Sequence, residues 1–247
     1  MTAVLFVHGF PFDHSMWRHQ IAALSRWRCI APDLRGAGNS PGPESLSEYS
    51  VASYAGDLIG VLDESKIRQA VICGLSMGGY IAFEILRNHP ERVRAAILCN
   101  TKAAADTREA KRDRDAMAEL ARQHGAAAVA EQLVPKLLSR ATFENQPRVV
   151  NEVREMITRA PVRGIAGALH ALRERPDSTP LLRTMRVPVL VIAGAEDQIA
   201  PAPAMREMAG AIADAAFVVI PEAAHLAPLE QPVPVNAAMQ RFLEKLG

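Results

Sequence analysis

Six short, continuously apolar runs punctuate the chain at positions 4–7, 29–31, 70–73, 95–99, 187–193 and 217–220. Longer stretches of helical character separate them. Strands alternating with helices read as βαβ units around a parallel sheet. The runs lack polar alternation, so both faces of each strand are expected to lie under helices. The pattern predicts an α/β fold with a doubly wound, mostly parallel sheet of about six strands.

One segment breaks the alternation. Positions 106–186 contain no convincing strand, only amphipathic, Ala- and Arg-rich stretches punctuated by Pro135, Pro147, Pro161, Pro176 and Pro180. At roughly 80 residues the segment far exceeds the single crossover helix that a βαβ unit needs. The expected organisation is therefore a core of 1–105 and 187–247 carrying a helical cap insertion at 106–186, in one structural domain.

Charge narrows the functional classes. The 28 Lys and Arg residues nearly cancel 27 Asp and Glu, and the basic stretches are interrupted by acids, as in Lys111-Arg112-Asp113-Arg114-Asp115. That balance argues against a nucleic-acid groove or a polybasic membrane patch. Cys29, Cys73 and Cys99 are odd in number and sit within apolar runs, which points to free buried thiols. No apolar run reaches 18 residues, and Met1 leads into positions 4–7 with neither a basic segment nor a cleavage site. A cytoplasmic protein without membrane attachment, monomeric or homodimeric, is expected.

The strongest chemical signal is Gly74-Leu75-Ser76-Met77-Gly78-Gly79, between an apolar run and a helix-like stretch. That is the strand–turn–helix setting of a G-x-S-x-G nucleophile elbow. A serine hydroxyl is a weak nucleophile without a base, and the base needs an orienting carboxylate. In this architecture the acid and then the histidine follow the serine. Asp197 follows the run at 187–193 and His225 the run at 217–220, both just past strand C-termini, where open α/β sheets bind ligands. Glu196 competes with Asp197 as the acid. His19, His89, His124 and His170 fall at helix ends, in a surface helix or in the insertion.

An oxyanion produced at Ser76 needs two donors. The N–H of Met77, next after the serine, is one; the N–H of Phe10, in the loop after the first strand, is the other. Pro11 has no N–H to give. His8 is expected to pack and bond beneath that loop. Phe10 and Trp17 are candidate apolar walls for the substrate, with core packing the alternative for Trp17.

Together these motifs resemble the α/β-hydrolase superfamily over nearly the whole chain. The resemblance rests on His8-Gly9-Phe10, the stretch from Ala31-Pro32-Asp33 to Asn39-Ser40, the elbow, Asp197, and His225-Leu226-Ala227-Pro228-Leu229-Glu230-Gln231-Pro232. Within the superfamily the chain is similar to the small serine esterase and 3-oxoadipate enol-lactonase-like branch. Such proteins usually begin with two further strands before the oxyanion-loop strand, whereas here the run at 4–7 comes almost at once, so about six strands are expected. The resemblance implies hydrolysis of a small-molecule ester; a lactonase acting on an enol-lactone or acyl-homoserine lactone and a cofactor-free perhydrolase are the alternatives. Ser76 argues against the aspartate nucleophile of dehalogenases and epoxide hydrolases, and a complete Ser76, Asp197 and His225 set argues against a non-catalytic receptor. Pro41 stands where a dinucleotide fingerprint needs its third glycine, and there is no H-E-x-x-H or C-x-x-C spacing. No cofactor and no metal are expected.

Overall fold

The computed structural model describes residues 2–247. Strands β1 (Ala3–Val7), β2 (Arg28–Ile30), β3 (Ala70–Leu75), β4 (Val93–Cys99), β5 (Val189–Gly194) and β6 (Ala215–Ile220) form one sheet. Their order is β2-β1-β3-β4-β5-β6 and every pair is parallel. Each apolar run of the sequence is a strand of this sheet. Alternate residues enter two separate cores, as the two-residue period of a strand requires. Phe6, Val71 and Ile97 pack on one side with Met239 and Leu243, whereas Leu5, Ile72 and Leu98 pack on the other with Leu58, Leu62 and Ile81.

Helices α1 (Arg18–Ala23), α2 (Val51–Glu64) and α3 (Met77–Asn88) precede β4. Between β4 and β5 the chain is helical: α4 (Arg108–Leu137), α5 (Arg140–Asn145), α6 (Pro147–Arg159), α7 (Val162–Glu174) and α8 (Thr179–Leu182). A non-helical Gly125 at φ 78° kinks α4. Then come α9 (Ala202–Gly210), α10 (Ala227–Glu230) and α11 (Pro232–Lys245). Among the described residues no helix is long and apolar enough to cross a membrane.

The strand order reverses between β1 and β3, which leave the sheet in opposite lateral directions. This is the topological switch point where open α/β sheets leave a crevice beyond the strand C-termini. The loop after β1 and the turn after β3 flank it.

A buried ion cluster ties the ends of the inter-strand helical segment together. Asp106, before α4, lies 2.8 Å from Arg175, after α7, and 3.1 Å from Arg114. Burial pushes the Asp106 carboxyl up, but the two guanidinium groups outweigh it and hold the group below the usual carboxylate range. Arg175 also donates to Ala104 O at 3.0 Å and stacks 4.2 Å above the Tyr80 ring of α3.

Helix α7 reaches the core through a backbone contact, since a Cβ on Gly164 would collide with the carbonyl of Gly36. Gly164→Ala is therefore expected to cost about 1–3 kcal/mol, lowering Tm by about 2–12 °C at this chain length. A Cβ on Gly56, inside α2, meets nothing within 4 Å. Gly56→Ala should leave Tm unchanged or raise it, and calorimetry of the two variants checks the contrast.

Candidate active site

Ser76 sits between β3 and α3 with φ 52° and ψ −110°. A non-glycine residue in the left-handed region costs on the order of 1–3 kcal/mol and persists only where its surroundings enforce it. Here the enforcement is visible. A Cβ on Gly74 would strike the backbone of Gly78, and one on Gly78 would strike the carbonyl of Val7. The Ser76 N–H donates to Cys99 O at 3.0 Å, and Ser76 O accepts from Gly79 N at 2.9 Å and Thr101 Oγ1 at 2.8 Å.

His225 and Asp197 are buried and joined, Nδ1 to Oδ2, at 2.8 Å. The carboxylate can only accept, so Nδ1 donates; in the neutral imidazole this tautomer leaves Nε2 as an acceptor. Asp197 Oδ1 accepts from Ile199 N at 2.8 Å and Ala200 N at 3.0 Å, while Oδ2 also accepts from Asn100 Nδ2 at 2.9 Å. Burial would raise the Asp197 pKa. The histidine beside it and these hydrogen bonds outweigh burial and hold the carboxyl below its usual value.

Two residues that the sequence reading passed over tie the serine to this pair. Asn100, in a left-handed conformation directly after β4, donates to both Asp197 Oδ2 and Ala224 O, the latter at 3.0 Å. Thr101 holds the Ser76 carbonyl. Two polar residues immediately after an apolar strand, at the sheet edge where ligands bind, are the signal that could have found them. Among the described residues no hydrogen bond joins Ser76 Oγ to His225, a contact that often tightens only around substrate.

Phe10 and Met77 line one small, largely apolar cavity of about 20 Å³, room for a single water. Neither N–H donates to another group among the described residues. Ile165 and Ala168 of α7 close the cavity above. A hollow of about 400 Å³ adjoins it, sharing Pro11, Phe12 and Ala160. His8 lies beneath the loop: its Nδ1 donates to Gly9 O at 3.0 Å and its Nε2 accepts from Leu34 N at 3.0 Å. Burial lowers its pKa, matching this neutral role.

Trp17 corrects the expectation of a second aromatic wall. It is 0% exposed, its ring centroid lies 5.1 Å from that of Phe6, and it does not line the cavity of Phe10 and Met77. Core packing claims it because the turn that carries it lies against the sheet. Glu196 is exposed, and its carboxylate accepts from Arg140 N at 3.2 Å, away from His225.

Asp13, His14 and Asp33 have donor atoms within 4.8 Å of one another. Those atoms already brace loops: Asp33 accepts from the backbone of His14 at 2.8 Å and Asn39 at 2.9 Å, and Asp13 accepts from Ser15 N at 2.9 Å.

The model of the alpha/beta hydrolase fold family matches residues 2–232. The chain belongs to that family. Over 246 residues it is 30% identical to 3-oxoadipate enol-lactonase 2 of Acinetobacter baylyi, covering 99% of this chain and 90% of the relative. A solved thermophilic esterase from Thermogutta terrifontis, malate bound, is 42% identical with a TM-score of 0.97, covering 100% of this chain and 90% of that one. The enol-lactonase of Burkholderia xenovorans is 32% identical with a TM-score of 0.91 over 98% and 91%. This alpha/beta hydrolase thus resembles the esterase and enol-lactonase branch, as its motifs implied.

The lowered pKa of Asp197 has a thermodynamic consequence. Its folded value lies below the unfolded value of about 3.9, so its contribution to stability is complete above that pH and is lost as pH falls through the folded value. Asp106 and Asp33 act in the same direction. Between about pH 4 and pH 2 the wild type should lose stability more steeply than Asp197→Asn, as urea titrations at several pH values will show.

Proposed function

We propose that this chain hydrolyses small carboxylic esters, lactones included, through an acyl-enzyme on Ser76. The observation that carries the reading is the strained elbow serine set, through Asn100 and Thr101, beside a buried His225–Asp197 hydrogen bond at one sheet edge. His225 Nε2 takes the hydroxyl proton as Ser76 Oγ bonds to the carbonyl carbon. The carbonyl electron pair moves onto oxygen, where the N–H groups of Phe10 and Met77 receive it. Asp197 holds the tautomer and stabilises the imidazolium. Collapse of the intermediate breaks the bond to the alcohol, which leaves with the proton from His225. Water, deprotonated by His225, then releases the acid and restores Ser76.

The helical segment 106–186 is the cap in this reading. Ala160 and α7 face Phe10 and Met77 across a space of about 20 Å³. The adjoining hollow of about 400 Å³, lined on one side by Met156 and Ala160 of the same segment, has the volume for a short acyl group rather than a long chain. The similarity to two enol-lactonases supports lactones as the second reading, since a lactone is a cyclic ester whose alcohol stays tethered to the acyl group. Three free thiols, two of them buried, support the cytoplasm as its compartment.

Purified Ser76→Ala should keep its fold and lose ester hydrolysis by roughly 10⁴-fold or more. Asp197→Asn should lose on the order of 10⁴-fold through the wrong histidine tautomer, with Glu196→Gln nearly unchanged. Retained hydrolysis by Ser76→Ala overturns the nucleophile, and reversed effects at 196 and 197 overturn the acid.

Chain-length preference tests the cap. Across p-nitrophenyl esters, kcat/KM is expected to fall beyond an acyl length of about eight carbons. A profile that peaks at twelve or more would mean that the cap moves aside.

A further inference from the structure

Glu230 ends α10, and its side chain is buried with the residue 1% exposed. Carboxylates are almost never so buried without a partner. The partners here are neutral donors. Oε1 accepts from Ala224 N at 2.8 Å, while Oε2 accepts from Ser139 N at 2.6 Å and from the Thr142 hydroxyl at 2.8 Å. Ser139 and Thr142 open α5 of the cap, and Ala224 is the residue before His225. One carboxylate therefore joins the cap to the loop that carries the histidine.

Neighbouring bonds strengthen the same seam. The N–H of His225 itself donates to Leu137 O at 3.1 Å, and Ser139 Oγ donates to Glu222 O at 3.1 Å. On the other side, the sheet edge holds the loop through Asn100 to Ala224 O and through Glu196 N to Ala223 O at 2.9 Å. The loop from 222 to 225 is thus suspended between core and cap.

We infer that Glu230 is a positioning residue whose carboxylate fixes the His225 loop to the cap, so that the aim of the imidazole depends on the cap as well as on Asp197. The group suits the task because three donors converge on it and it offers only acceptors. An amide would turn an N–H against the N–H of Ala224 or of Ser139. Small misplacements matter here, since an error of about 1 Å in a catalytic group can cost about 10²-fold in rate. The inference rests on the proposed role of His225 as the base.

Three variants test it at a temperature where circular dichroism shows each fully folded: Glu230→Gln, Thr142→Val, and Leu62→Ala as a destabilised control in the core on the opposite face. Two readouts are taken, kcat and KM on a short p-nitrophenyl ester, and the proton resonance of the His225 Nδ1–H bonded to Asp197. Glu230→Gln should lower kcat by about 10- to 100-fold with KM within about threefold, and should shift or broaden the resonance. Thr142→Val, which removes one cap-side donor, should move both readouts the same way by a smaller amount. Leu62→Ala should lower Tm and leave both readouts alone. If Glu230→Gln does not fold, Thr142→Val decides. Readouts that match the wild type, or that change no more than in Leu62→Ala, overturn the inference. The resonance does not depend on turnover, so it tests the seam even if Ser76→Ala were to retain activity and the proposed function itself fell.

Discussion

Between Gly74 and Gly78 the chain folds back on itself with no room for a methyl group, and much of the site's geometry follows from that contact. Because Gly78 also lies against the carbonyl of Val7, the ends of β1 and β3 and the start of α3 are locked in one place. The turn can then hold Ser76 in a conformation that a free chain avoids, and the strain is borne by three packed backbones. A third such contact, where Gly194 meets the carbonyls of Ala223 and Ala224, brings the end of β5 against the His225 loop. Close backbone approach sets the distances, and side-chain hydrogen bonds refine them.

Those refinements share one logic. Asp197 receives four hydrogen bonds, two from backbone N–H groups and one each from Asn100 and His225, so its charge is compensated without a permanent cation beside it. His8 is bonded on both ring nitrogens and removed from acid–base chemistry. Two buried imidazoles within one region thus have different surroundings. The difference lies in what each ring touches: a carboxylate in one case, a peptide carbonyl and a peptide N–H in the other.

The fold was legible because parallel strands covered on both sides are written as unbroken apolar runs, and the elbow because its determinants span six consecutive residues. Asp197 and His225 could be found by counting strands. What escaped the sequence were residues whose partners lie far along the chain. Asn100 meets Asp197 across 97 residues, and Glu230 meets Ser139 across 91, so neither partner can be read from the residue's own neighbourhood. Trp17 is a different case. The sequence left it between a pocket wall and core packing, and the hydrophobic gain from burying an indole against Phe6 settles it in the core.

The ion pair between Asp106 and Arg175 makes the helical segment between β4 and β5 a handle with both feet pinned to one spot on the core. A chain segment closed in this way behaves as a ring, and enlarging a ring costs little, about 0.6 kcal/mol for each doubling of a flexible loop. Length can therefore change in the exposed stretches between the feet, whereas the points that meet the core, Gly164 on Gly36 and Ser139 and Thr142 on Glu230, are fixed by contact. The feet themselves allow no such freedom, because Arg175 rests on Tyr80, one turn of helix beyond Ser76. Changes of length in the span thus leave the anchorage in a fixed relation to Ser76 and the turn that carries it.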